Sequence, residues 1–150
     1  MMKPQEPRIV HIEPRWKQWQ QQYGSGTMLI ATPRLVEGLM KKAPKGKLLT
    51  IGQIRERLAK DFGTTTTCPL TTGIFVRIVA EAANEELEKG KTRVTAFWRL
   101  IRDDGSLMEK LPGGAAAQAR LLRKEGHTIV SGSGKKAPRV KDHDAKLIKL

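Results

Sequence analysis

The stretch Thr95-Ala96-Phe97-Trp98-Arg99-Leu100-Ile101-Arg102-Asp103-Asp104-Gly105-Ser106 sets two adjacent aromatics, an arginine and an apolar pair ahead of an acidic turn ending in glycine. Aromatic and branched side chains suit a half-buried pleated surface, and Asp-Gly closes a tight turn. A short strand feeding a turn is therefore expected here. An aromatic pair beside an arginine also fits the wall of a ligand pocket. Both readings stand at this point: core strand and pocket strand.

Upstream of this stretch the pattern is helical. Thr32-Pro33 opens a helix with a capping hydroxyl and a first-turn proline, and Leu35, Val36, Leu39 and Met40 mark its inner face. Pro44 and Gly46 forbid its continuation. Thr50 and Gln53 form a capping box for a second helix, with Ile51, Ile54 and Leu58 inward and Arg55, Arg57 and Lys60 outward. Gly63 ends that helix, and after the hydroxyl-rich run 64–67, Pro69 opens a longer one reaching about Glu88 or Lys89. Its expected apolar stripe is Leu70, Ile74, Ile78 and Ala82, joined by Phe75 and Val79. The opposite face presents Thr72, Gly73, Val76, Arg77 and Ala80. Two helices joined by a short polar turn, the second with a face of small residues and an arginine, read as a helix-turn-helix, because an uncrowded face lets a helix approach a groove closely.

Both ends of the chain are basic. Residues 1–28 form an N-terminal extension, with a short strand at Ile9–Ile12 and with Trp16, Trp19 and Tyr23 expected to pack on the domain as a lid. A basic Trp/Gln stretch also suits contact with nucleic acid, although packing is the expected role. Downstream of the aromatic stretch a helix is expected from about Gly114 to Glu125, closed by Gly126. Residues 131–150 form a basic tail: a flexible link over 131–138, then a weakly alternating end that suits an edge strand.

Composition narrows the function. One hundred and fifty residues, 39% hydrophobic, are enough for one domain with a real core. A formal net charge of +13 repels the chain from itself and draws it to polyanions, so nucleic acid leads the partners. No long apolar run or signal-like segment favours a membrane, and a cytoplasmic, nucleoid-associated protein is expected. A single cysteine excludes an intrachain disulfide, and the three histidines lack ligand spacing, so neither a metal nor another cofactor is expected.

The quoted stretch also resembles the active-site segment of the O6-alkylguanine-DNA alkyltransferases, a Pro-Cys-His-Arg run followed by an apolar pair. Ala96 falls on the proline, Phe97 on the reactive cysteine, Trp98 on the histidine and Arg99 on the arginine. Two other segments resemble the family in order. Lys45-Gly46-Lys47-Leu48-Leu49-Thr50-Ile51-Gly52-Gln53-Ile54 is similar to the approach to its helix-turn-helix. Leu111-Pro112-Gly113-Gly114 with Leu121-Leu122-Arg123-Lys124-Glu125-Gly126-His127 is similar to its pocket loop and closing helix. The non-enzymatic alkyltransferase-like branch carries tryptophan at the cysteine position; this chain has Phe97.

The resemblance implies a mainly α fold with a few short strands: a winged helix-turn-helix-like domain over residues 29–130, like the C-terminal domain of the alkyltransferases. It implies double-stranded DNA gripped through Thr71, Thr72, Gly73, Val76 and Arg77. It also implies a base pocket of Phe97, Trp98, Arg99, Leu111, Pro112, Gly113 and Glu125, which receives a flipped O6-alkylated guanine. Glu125 matches the glutamate that supports the family's histidine. A phenyl ring has no nucleophilic lone pair, so no transfer to position 97 is expected, and the protein would flag damage as a monomer for excision-repair proteins. Ile51 stands where the family has a phosphate-rotating tyrosine, and the arginine finger has no counterpart, since Arg77 lies about half a turn later. Two rival readings remain, a generic helix-turn-helix DNA binder and a transferase using Cys68, whose place at a helix N-terminus favours a thiolate.

Overall fold

The N-terminal strand β1 (Arg8–His11) and the short helix α1 (Lys17–Tyr23) open a computed structural model that describes residues 6–150, so residues 1–5 of the extension lie outside the described residues. β1 pairs antiparallel with β2 (Thr27–Ile30), Arg8 opposite Ile30. Beneath them Ile12, Met28 and Cys68 form a small core against which Trp16, Trp19 and Tyr23 pack.

Helix α2 (Pro33–Met40) starts where its sequence requires. The Leu35 N–H donates to Thr32 Oγ1 at 3.2 Å, and Val36, Leu39 and Met40 are buried. After the two-residue strand β3 (Leu49–Thr50) comes α3 (Ile51–Phe62), closed at its start by a complete capping box. The Gln53 N–H donates to Thr50 Oγ1 at 3.1 Å, and the Thr50 N–H donates to Gln53 Oε1 at 2.9 Å. Gly63, at φ 67°, ends it in the left-handed conformation that glycine adopts without strain. Strand β4 (Thr66–Thr67) pairs parallel with β2 before the 20-residue helix α4 (Pro69–Glu88) begins.

The aromatic stretch departs from the expected strand. Phe97–Arg99 is a single 3-10 turn, and only Leu100–Ile101 extends, as β5, parallel to β3. The chain must turn at the aromatics because the Phe97 N–H bonds to the Thr95 carbonyl at 2.8 Å and the Arg99 N–H to Ala96. The acidic turn that follows reaches back to α3, where the Gly52 N–H donates to Asp103 Oδ1 at 2.7 Å. A Cβ at position 52 would lie 2.5 Å from that oxygen, so glycine there permits the contact.

Helix α5 (Gly114–Lys124) buries Ala115, Gln118, Ala119 and Leu122 along one stripe. β6 (Ile129–Val130) and β7 (Arg139–Val140) pair antiparallel across the exposed, basic link. The expected strand in the tail is β7 itself, and beyond it Leu147 makes a single parallel bridge to Leu48. The chain end docks there, with the Ile148 N–H donating to the Leu48 carbonyl at 3.0 Å, Gln53 Nε2 donating to the Ile148 carbonyl at 2.7 Å, and Leu150 against the main core. The protein is mainly helical with a few short strands.

Two faces differ from the expected ones. On α4 the buried residues are Thr72, Val76, Val79, Ala80 and Ala83, whereas Leu70, Ile74 and Ile78 are 67%, 52% and 47% exposed. Small side chains allow α4 to lie close against α2, and bulky aliphatics in their place would hold the helices apart. Arg55 also turns inward. Its Nε donates to the Thr67 carbonyl at 2.9 Å and its guanidinium to Tyr23 Oη at 2.8 Å, which ties α1, α3 and β4 together.

Removing residues 142–150 strips partners from Leu48 and Gln53 and uncovers the apolar surface under Leu147, Ile148 and Leu150. Half-buried aliphatic side chains of this kind are expected to contribute on the order of 3 kcal/mol together. The truncated chain should melt roughly 10 °C below the full one; differential scanning calorimetry provides the measurement.

Candidate nucleic-acid interface

Glu125, at the end of α5, holds the aromatic stretch in place. Its carboxylate accepts from Trp98 Nε1 at 2.7 Å, from Arg99 Nε at 3.0 Å, and from the Gly46 N–H at 2.9 Å. Arg99 also pairs with it through a terminal nitrogen at 2.9 Å and donates to the Ala43 carbonyl at 2.8 Å. The two side chains are only 16% and 7% exposed. Burial pushes the Glu125 carboxyl up, but Arg99, the Gly46 N–H and the Trp98 indole together hold it below its ordinary value.

Gln118 secures the other side of this stretch, although nothing in the sequence reading singled it out. Its amide donates to the Trp98 and Leu100 carbonyls and accepts from the Met108 N–H. Its position on the buried stripe with Ala115, Ala119 and Leu122 was the available signal, because a buried amide must find backbone partners.

The residues of the expected base pocket separate into two groups. Phe97 is 2% exposed and meets Trp98 edge-on at 5.3 Å between centroids; Leu111 is buried in the same core. Trp98, Arg99 and Glu125 satisfy one another. Leu111, Pro112 and Gly113 line a cleft of about 660 Å³ against α4, together with Arg77, Glu81, Glu85 and Glu109, and neither aromatic lines it.

The helix-turn-helix residues divide in the same way. Thr72 and Val76 are core residues, and the Thr72 hydroxyl donates to the Cys68 carbonyl at 2.6 Å. Thr71 is half-buried, while Gly73 and Arg77 are exposed. The solvent face of α4 therefore includes Leu70, Gly73, Ile74, Arg77 and Ile78, three of them large aliphatics that periodicity alone assigns to the interior. Charge divides the helix further. Residues 69–80 carry Arg77 and no acid, whereas Glu81, Glu85, Glu86 and Glu88 crowd the last two turns. Arg77 leans toward that acidic half, its Nε 2.9 Å from Glu81 Oε1 in an exposed pair.

Cys68 precedes α4 but is 3% exposed, covered by the Ile12 and Met28 cluster. Asp103 already occupies the start of α3. Among the described residues no helix is long and apolar enough to cross a membrane.

No protein-family model matches the chain, and no curated protein sequence does. Among solved structures it is similar to S. pombe Atl1, crystallised in complex with damaged DNA containing O6-carboxymethylguanine, with a TM-score of 0.52 and 18% identity over 79% of this chain and 94% of that one. At this identity the likeness shows the fold: the helical domain with its helix-turn-helix is shared.

Removing the Glu125 carboxylate strands the Arg99 guanidinium in a largely buried site. Glu125→Ala is therefore expected to cost about 3–5 kcal/mol, read from urea midpoints. Because the folded value of Glu125 is depressed, its contribution is complete above the ordinary value of 4.5 and is lost as pH falls through the folded one. Glu125→Gln should flatten the acid limb of the stability curve below pH 4.5, read from urea midpoints measured across acid pH.

Proposed function

We propose that this chain is an alkyltransferase-like DNA-binding protein that lacks the reactive cysteine, recognises alkylated DNA of the O6-alkylguanine type and marks it for repair without transferring the alkyl group. One observation carries the reading: a fold similar to that of Atl1, itself seen on damaged DNA, holds a sealed phenyl ring at the position that the resemblance gives to the nucleophile. Transfer needs a thiolate within reach of the alkyl carbon, and Phe97 has none. Cys68 supports the same reading, because its thiol lies beneath α1 and the start of α4. The charge of +13 supplies affinity for the phosphate backbone. The proposed setting is cytoplasmic, with the protein as a monomer handing damage to excision-repair proteins.

A second reading, a DNA binder without lesion preference, is favoured by one observation. Phe97 is sealed in the core, and Trp98 packs against it with its indole N–H committed to Glu125. Lesion preference separates the two. An alkylated guanine pairs poorly, which lowers the cost of a few kcal/mol for extruding it.

Anisotropy titrations with plain and O6-methylguanine duplexes test both readings. Affinity for plain duplex should fall with a slope of about 0.9 log units per log unit of salt for each phosphate contacted. The modified duplex should bind about tenfold tighter, and intact-mass spectrometry after incubation should show no added methyl. Equal affinities would leave the generic binder, an adduct on Cys68 would make the protein a transferase, and absence of binding at low salt would remove DNA from its partners.

A further inference from the structure

The shallow groove between α1 and the start of α4, lined by Trp16, Lys17, Gln18, Trp19, Pro69 and Leu70, encloses about 680 Å³. We infer that this groove receives an unstacked nucleobase of the bound DNA. The inference rests on the DNA-binding reading above and names the surface that takes the base.

Three observations carry it. The first is aromatic. Trp16 and Trp19 meet edge-on at 5.8 Å between centroids and are only partly buried, so indole surface remains open beside Leu70. Every base has a π face, and such platforms accept bases with little regard to sequence.

The second is charge. The groove carries Lys17 and no carboxylate, and the adjoining half of α4 is free of acid. The pocket-loop cleft at the other end of α4 is lined by Glu81, Glu85 and Glu109 against Arg77 and Lys110. Phosphates flank any extruded base, so carboxylates at that cleft oppose its approach and the groove at α1 does not.

The third is continuity. From Leu70 the exposed stripe runs on through Ile74 and Ile78 along the solvent face of α4. Proteins that enter the minor groove drive aliphatic wedges of this kind between base steps, and the base displaced by a wedge then needs a surface to rest on. On this inference Ile74, exposed at the middle of the stripe, is the wedge. The platform lies one turn away, at Leu70.

The test compares a fully paired duplex with the same duplex carrying one unpaired thymine, titrated against the full chain by anisotropy and by tryptophan fluorescence. The bulged duplex should bind about tenfold tighter and quench the emission. Trp19→Leu should abolish both the preference and most of the quenching, while the salt slope for paired duplex stays unchanged. Leu70→Ala, at a side chain too exposed to matter for folding, should reduce the preference about threefold and decides the matter if Trp19→Leu unfolds. A preference that survives both substitutions, or equal affinity for the two duplexes, overturns the assignment while leaving DNA binding intact. Loss of all duplex binding instead overturns the proposed function. Sedimentation showing self-association that Leu70→Ala abolishes would make the groove an interface between copies of the chain and overturn the assignment.

Discussion

The ion pair between Arg99 and Glu125 brings together parts of the chain that lie far apart in sequence. Around it the end of α5 meets the 3-10 turn, the Ala43 carbonyl beyond α2 and the Gly46 N–H before β3. A buried pair is weak evidence for net stability, but once buried it tolerates no missing partner. That intolerance fixes the orientation of Trp98, whose indole N–H has its acceptor in the same carboxylate. Phe97, one residue earlier, is left to the core. Both aromatics are thus held by the structure around them, and Gln118 closes the arrangement from α5.

The same core sets the character of the outer surface. Because α4 approaches α2 through Thr72, Val76, Ala80 and Ala83, its larger side chains are left outside. An exposed row of Leu70, Ile74 and Ile78 is costly to leave in water and marks an interaction surface. Its polarity is graded: apolar with one arginine over the first three turns, acidic over the last two. Electrostatics alone would favour a polyanion at the first end of this helix over the second. The aromatic cluster of the N-terminal segment sits at that first end. Trp16 and Trp19 pack on the small core and also line the groove beside Leu70, so packing and the proposed nucleic-acid binding are compatible roles for that segment.

Local chemistry was legible in the sequence wherever a single residue determines a local geometry. Thr32 with Pro33, Thr50 with Gln53, and Gly63 each specify a helix end through a hydrogen bond or a backbone angle that few other residues supply, and the boundaries of α2, α3 and α4 follow. Composition gave the charge, and position 97 gave the lack of a nucleophile where the resemblance places one. Tertiary structure alone decided which side of α4 is buried, because that helix is apolar on two faces and the choice rests on which face lets α2 come close. It also decided the 3-10 turn at Phe97–Arg99, the inward turn of Arg55 onto Tyr23 and Thr67, and the docking of Ile148 on Leu48. Arg55 and Ile148 find their partners 12 to 100 residues away, and the turn at Phe97–Arg99 is held from outside by Glu125 and Gln118; no local pattern of side chains encodes those partners.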